Sequence, residues 1–160
     1  MAHLALRIVL LADRPDLIPT LTDWFVAEWE PYYGADGPGD AASDLRGCLN
    51  RDTLPVALVA LGTDDTLLGT AALKEESVGS ELGVGPWLAA FLVAPEHRGR
   101  GVGTALVAVI EGEAARLGFA EVYTSTDAAE GILQRRGWLP FGATESLRGP
   151  LKIYRFSTGG

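Results

Sequence analysis

An apolar run, Trp87–Val93, leads through Arg98-Gly99-Arg100-Gly101-Val102-Gly103 into a helix-like run over residues 104–117, and then into a second strand-like run, Glu121–Thr126. This strand–helix–strand succession constrains the fold more than anything else in the chain. A strand reached through a crossover helix lies parallel to the strand before it, and such crossovers are right-handed in nearly every case. The helix carries an apolar stripe at Val102, Leu106, Ile110, Ala114 and Leu117, and Gly118 stands where a C-terminal cap belongs. All-helical and purely antiparallel architectures are therefore excluded.

The remaining segments add antiparallel pieces around this unit. Residues 4–11 read as a strand. Pro15 and Pro19 bracket a helix start that carries Pro19 in its first turn, and Pro31 stops the helix. Residues 32–42 are rich in glycine and proline, a mobile loop by composition, and residues 43–49 read as a short helix. Residues 55–61 and Leu67–Lys74 form a hairpin about a turn at 62–65, followed by a polar loop at 75–86. Residues 128–136 read as a short helix closed by Gly137, residues 138–141 and 151–156 as two closing strands, and residues 157–160 as a frayed tail. The order β-α-(α)-β-β-β-α-β-α-β-β gives an α/β fold of the α+β mixed-sheet kind, with helices on both faces, in one domain over residues 1–160.

The loop at 98–103 also carries chemistry. Glycines at 99, 101 and 103 let a ligand approach the backbone, and a helix N-terminus adds free N–H donors with a partial positive charge. Together with Arg98 and Arg100 they make a phosphate or pyrophosphate site. No Walker A string is present, and the dinucleotide fingerprint fails because Thr104 or Leu106 occupies its third glycine position. The segment resembles the GCN5-related N-acetyltransferase (GNAT) family, whose pattern Gln/Arg-x-x-Gly-x-Gly/Ala is met at every fixed position from Arg98 to Gly103, after a matching strand end and turn at Val93-Ala94-Pro95-Glu96-His97.

The resemblance implies a central sheet of about six to seven strands with two parallel strands splayed at the cofactor site. It implies acetyl-CoA as co-substrate, held by Arg98, Gly99, Arg100, Gly101, Val102, Gly103 and Thr104. Phe91, Leu92 and Val93 would face the pantetheine arm and thioester, with a backbone N–H near Leu92 polarising the carbonyl. The acceptor pocket would be walled by Trp24, Trp29, Tyr32 and Tyr33, with Thr126 positioning a water or the amine. Glu28 is the expected general base or amine anchor, and Asp127 the N-cap of the helix that follows it. Residues 132–138 look like the family's helix-end signature, but Leu133 stands where a proton-donating tyrosine is common. The expected reaction is direct attack of a primary amine, on a small metabolite, a peptide N-terminus or a lysine. The alternative is a module that binds and senses acyl-CoA without catalysis, for which Leu133 is the argument. A homodimer through a strand edge is also within the family's habits.

Composition bears on partners. The net charge of −8 opposes nucleic acid and favours cationic small molecules. His97, Arg98, Arg100, Arg135 and Arg136 are the cations available to offset that charge around an anionic cofactor. Cys48 is a single cysteine, read as a packed thiol, and the two histidines, His3 and His97, cannot build a histidine-rich metal site. Arg7 interrupts the N-terminal apolar run, and no apolar stretch reaches the length of about 18 residues that a membrane span needs, so a cytoplasmic protein is expected.

Overall fold

The run Val56–Leu61 (β2) is apolar at every position, and every one of its residues is buried. Strict alternation sends Leu58 and Ala60 into one apolar cluster and Ala57, Val59 and Leu61 into another. Only a strand covered on both faces needs apolar residues at both parities. The computed structural model describes residues 6–147 and 149–159, and in it β2 lies inside a sheet sandwiched between two helical layers.

The elements run β1 (Arg7–Leu10), α1 (Ile18–Glu28), α2 (Glu30–Tyr33), α3 (Ala41–Arg46), β2, β3 (Leu67–Lys74), β4 (Trp87–Val93), α4 (Val102–Arg116), β5 (Glu121–Thr126), α5 (Glu130–Arg135), β6 (Leu139–Ser146) and β7 (Gly149–Ser157). The seven strands form one mixed sheet in the order β1-β2-β3-β4-β5-β7-β6. All neighbours are antiparallel except β4 and β5, which are parallel as the crossover demands. Helices α4 and α5 cover one face, with Leu106, Ile110 and Leu133 in its core. Helices α1 and α3 cover the other, with Leu21, Phe25 and Leu45.

Several boundaries differ from the sequence reading, each for a physical reason. Residues 4 and 5 of the first expected strand, and His3, lie outside the described residues. A 3-10 turn at Pro15–Leu17 precedes α1, which carries Pro19 in its first turn. Pro31 does not leave the chain in a loop. It occupies the first turn of α2, where its missing N–H costs nothing. The glycine-rich segment after Tyr33 is no featureless loop: a Cβ on Gly39 would overlap the rings of Tyr32 and Tyr33, so glycine lets the segment fold onto them. Asp40 caps α3 by accepting from the Ser43 N–H at 3.0 Å, so that helix starts earlier than its pattern implied.

The last two strands are longer than expected. β6 is exposed along most of its length and has no apolar alternation, so only its pairing with β7 makes it a strand. Arg136 is not part of a basic patch. It donates to the buried Glu111 carboxylate of α4 at 2.6 Å, and the Trp138 indole N–H donates to the same group at 2.9 Å. This network ties α4 to the α5–β6 junction.

Candidate active site

The β4–β5 seam opens almost as soon as it forms. Its register holds one pair, Trp87↔Tyr123, and the Tyr123 N–H donates to the Pro86 carbonyl at 2.9 Å. The Thr124 hydroxyl then donates to the Leu88 carbonyl at 2.8 Å, so a buried side chain replaces the next ladder bond. Beyond that point the strands part, while β5 stays fully paired with β7.

On its other side β4 departs from regular pairing with β3. Thr70 lies opposite Leu92 and Ala72 opposite Ala89, so β4 holds one more residue than β3 across this stretch. Ala90 takes a left-handed conformation at φ 52°, which L-residues adopt at a cost of about 1–3 kcal/mol. The bulge breaks alternation, so that Leu88 and Phe91 both pack towards α4 while Ala90 packs towards α1 and α3.

The splay and the bulge open onto a cleft of about 710 Å³. Its walls come from the α1–α2 junction, α3, the end of β3 and the loop after it, β4, the tip of β5, α5 and the β6–β7 turn. Of the expected cofactor-facing strand residues, Phe91 lines the cleft. Leu92 and Val93 do not: Leu92 is buried towards α1 and α3, and Val93 packs towards α4. The backbone that turns at the bulge belongs to Ala90 and Phe91, two and one residues before Leu92, near which the sequence reading places the polarising N–H.

The three glycines of the loop separate into two kinds. Gly99 and Gly101 have φ of 76° and 84°, and a Cβ on either would meet nothing within 4 Å. They leave open space above the N-terminus of α4, whose first turn has no side-chain cap and no acidic residue. A pyrophosphate fits such a cradle. A Cβ on Gly103 would instead meet Ile132 at 3.0 Å and Phe91 at 3.2 Å, so this glycine serves close packing of α4 on β4 and α5. The Val102 side chain is buried in the core, and the N–H groups of the first turn of α4 have no side-chain cap. The Arg98 side chain folds back, its Nε donating to the Val93 carbonyl at 3.0 Å. Arg100 is exposed.

The residues expected to wall an acceptor pocket differ more from expectation. Glu28, Trp29, Tyr32 and Tyr33 line the cleft, and Trp24 does not; Trp24 packs on the α1–α3 core. Tyr33 stacks on Phe25 and donates its hydroxyl to Asp44 Oδ2 at 2.7 Å. Burial and that carboxylate push the Tyr33 phenol far above its ordinary pKa, so it remains a donor. Thr126 lines the cleft, but its oxygen accepts from the Ala128 and Ala129 N–H groups, at 3.2 and 2.8 Å. It, rather than Asp127, caps the turn into α5. Leu133 is fully buried at the cleft wall and offers no proton. Burial raises the Cys48 thiol pKa, in keeping with a packed rather than nucleophilic thiol.

Sequence reasoning missed Asp44, Lys74, Ala90, Thr124 and Ser125, all on the cleft wall. No local pattern flags an alanine that will adopt a positive φ or a helix aspartate that will meet a tyrosine eleven residues away. Among the described residues, no cluster of three metal-ligating side chains occurs, and no helix is long and apolar enough to cross a membrane.

Comparison with known proteins agrees with this geometry. An aminoglycoside 6'-N-acetyltransferase solved with coenzyme A superposes with a TM-score of 0.74 over 95% of this chain and 97% of its own, at 19% identity. A Salmonella typhimurium protein solved with its cofactor acetyl-CoA gives a TM-score of 0.71 over 96% and 94%, at 17% identity. At those identities the likeness is one of fold. In sequence, the mycothiol acetyltransferase of Clavibacter sepedonicus is 39% identical over 80 residues, which are 50% of this chain and 24% of that protein. The profile of the acetyltransferase (GNAT) family matches residues 18–138. That match runs from the first turn of α1 through the crossover to Trp138 and takes in all the cleft lining except the β6–β7 turn and the residues after it, and the chain belongs to the acetyltransferase (GNAT) family.

Proposed function

We propose that this chain transfers the acetyl group of acetyl-CoA to a primary amine on a small cationic molecule, by direct attack within the β4–β5 cleft. The observation that carries the reading is the junction of an uncapped helix N-terminus under open glycines with a splayed strand and a cleft walled by aromatic rings and carboxylates. Acetyl-CoA supplies an activated acyl group on a good leaving thiolate. The N–H groups at the start of α4, with Gly99, Gly101, Arg98 and Arg100, bind its phosphates. The β4 backbone freed by the splay bonds the amides of its arm as a neighbouring strand would. An N–H at the Ala90–Phe91 bulge holds the oxygen on which charge develops.

On the acceptor side, Trp29, Tyr32 and Tyr33 offer ring faces to a cation, and Glu28 at the end of α1 anchors the approaching ammonium. Relatives named for aminoglycoside and mycothiol acetylation support a small-molecule amine over a protein acceptor. Because Leu133 cannot donate, the departing thiolate is protonated from solvent. Use of an acyl-CoA donor supports a cytoplasmic site for the reaction. The test is a panel of cationic, neutral and acidic amines with free-thiol detection. Amine-dependent thiol release greatest for cationic amines is expected. Acetyl-CoA binding without release on any amine would leave a sensing module, and release only on acidic amines would overturn the charge assignment.

A further inference from the structure

Beneath the main cleft is a void of about 10 Å³, room for a single water. It is walled by residues from both helical and sheet elements, among them Asp44 of α3, Cys48, Thr70 and Lys74 of β3, and Ala90 at the β4 bulge. Asp44, Lys74 and Ala90 line the void and the cleft alike. Asp44 and the bulged Ala90 therefore border the same small void, where the β4–β5 ladder has ended. Glu28 lines the cleft but not this void.

The carboxylate is also fixed. Asp44 Oδ2 accepts from Tyr33 at 2.7 Å, and Tyr33 is itself stacked on the buried Phe25 ring at 5.9 Å. One oxygen is thus occupied by a donor that stays protonated, and the other is left to meet a second donor.

Given the acetyl-transfer reading above, on which this rests, we propose that Asp44, held by Tyr33, takes the proton of the acceptor ammonium, while Glu28 only guides the amine in. In the balanced step the ammonium gives one proton to Asp44. The freed nitrogen lone pair forms the C–N bond to the thioester carbon, and collapse breaks the C–S bond. The second nitrogen proton is lost to solvent as the amide forms, the thiolate takes a solvent proton, and Asp44 returns its proton to solvent.

The test compares two acceptors of the same shape: an alkyl amine, charged at neutral pH, and a fluorinated analogue that is weakly basic and already neutral. Asp44→Asn keeps the shape of the side chain and an acceptor for Tyr33. It is expected to lower kcat/KM for the charged amine about a hundredfold and for the neutral analogue less than about threefold. Tyr33→Phe, which removes only the positioning hydroxyl, is expected to give a loss of about fivefold with the same selectivity. Calorimetric binding of the charged amine, measured without acetyl-CoA, should weaken about tenfold in Asp44→Asn, with the neutral analogue unaffected. Equal losses for both amines would assign Asp44 a structural role and overturn the proposal, as would unchanged kinetics. If Asp44→Asn does not fold, Tyr33→Phe decides on the same criterion. If the parental protein releases no thiol beyond the amine-free rate with any amine, the acetyl-transfer reading fails first and this proposal with it.

Discussion

The two sides of the proposed site are built in opposite ways. The proposed donor wall is one continuous stretch: β4 lines the cleft, and the glycine loop and α4 follow it, packed closely where Gly103 meets Phe91. The proposed acceptor wall is gathered from the end of α1, α2, α3, the end of β3, the tip of β5 and the β6–β7 turn. A contiguous site is fixed by local backbone conformation and so varies little as the rest of the chain changes. A gathered site can change one piece at a time. The difference suits a transferase with one donor and an acceptor that differs between relatives, and it predicts that perturbing the donor wall harms binding of acetyl-CoA while perturbing the acceptor wall harms use of the amine.

The largest expected effect breaks both walls together. Glu111→Ala leaves the buried Trp138 N–H without its acceptor and Arg136 without its partner, and should cost about 3 kcal/mol of stability in denaturant titration. An unchanged midpoint would mean that the network does not tie α4 to α5. Next, Gly101→Val should weaken acetyl-CoA binding about a hundredfold, roughly 2.7 kcal/mol, because a branched side chain at φ 84° is strained and fills the space above α4. Gly103→Val is its counterpart: there the side chain meets Ile132 and Phe91, so the melting temperature should fall. Calorimetry and thermal melts on the pair separate cradle from packing, and identical behaviour would erase the distinction between the two glycines.

Smaller effects sharpen the comparison. Glu28→Gln should lower kcat/KM for a cationic amine about tenfold, roughly 1.4 kcal/mol, chiefly through KM, with acetyl-CoA affinity unchanged. A matching loss of acetyl-CoA affinity would show that the walls are not independent. Arg98→Ala should weaken acetyl-CoA by only a few fold, about 0.5–1 kcal/mol at low salt and less at high salt, since the side chain is exposed. Insensitivity to salt would mean that its bond to the Val93 carbonyl, not its charge, is what matters.

Much of the fold was legible because it rests on local periodicity. The stripe Val102, Leu106, Ile110 and Ala114 is buried as spaced, and β3, β4 and β5 have the limits their apolar runs indicated. The parallel β4–β5 relation followed from chain connectivity alone. Where β6 is exposed, or where Asp40 caps α3, burial no longer writes a pattern and the boundaries moved. Of the residues expected at the acceptor, Glu28, Trp29, Tyr32 and Tyr33 line the cleft, being consecutive or nearly so, while Trp24, a turn earlier on α1, packs on the core.

By itself, then, the sequence determined the crossover unit, the glycine-only turn conformation at Gly99 and Gly101, and the absence of a phenol at position 133. These depend on residue type and on neighbours within a few positions. Only the tertiary structure decided that Thr124 ends the β4–β5 ladder, that Ala90 takes a positive φ, and that Tyr33 holds Asp44 at the edge of the void. Each of those is set by a partner on another element, so its energy comes from packing and hydrogen bonds that exist only once the sheet and both helical layers have assembled.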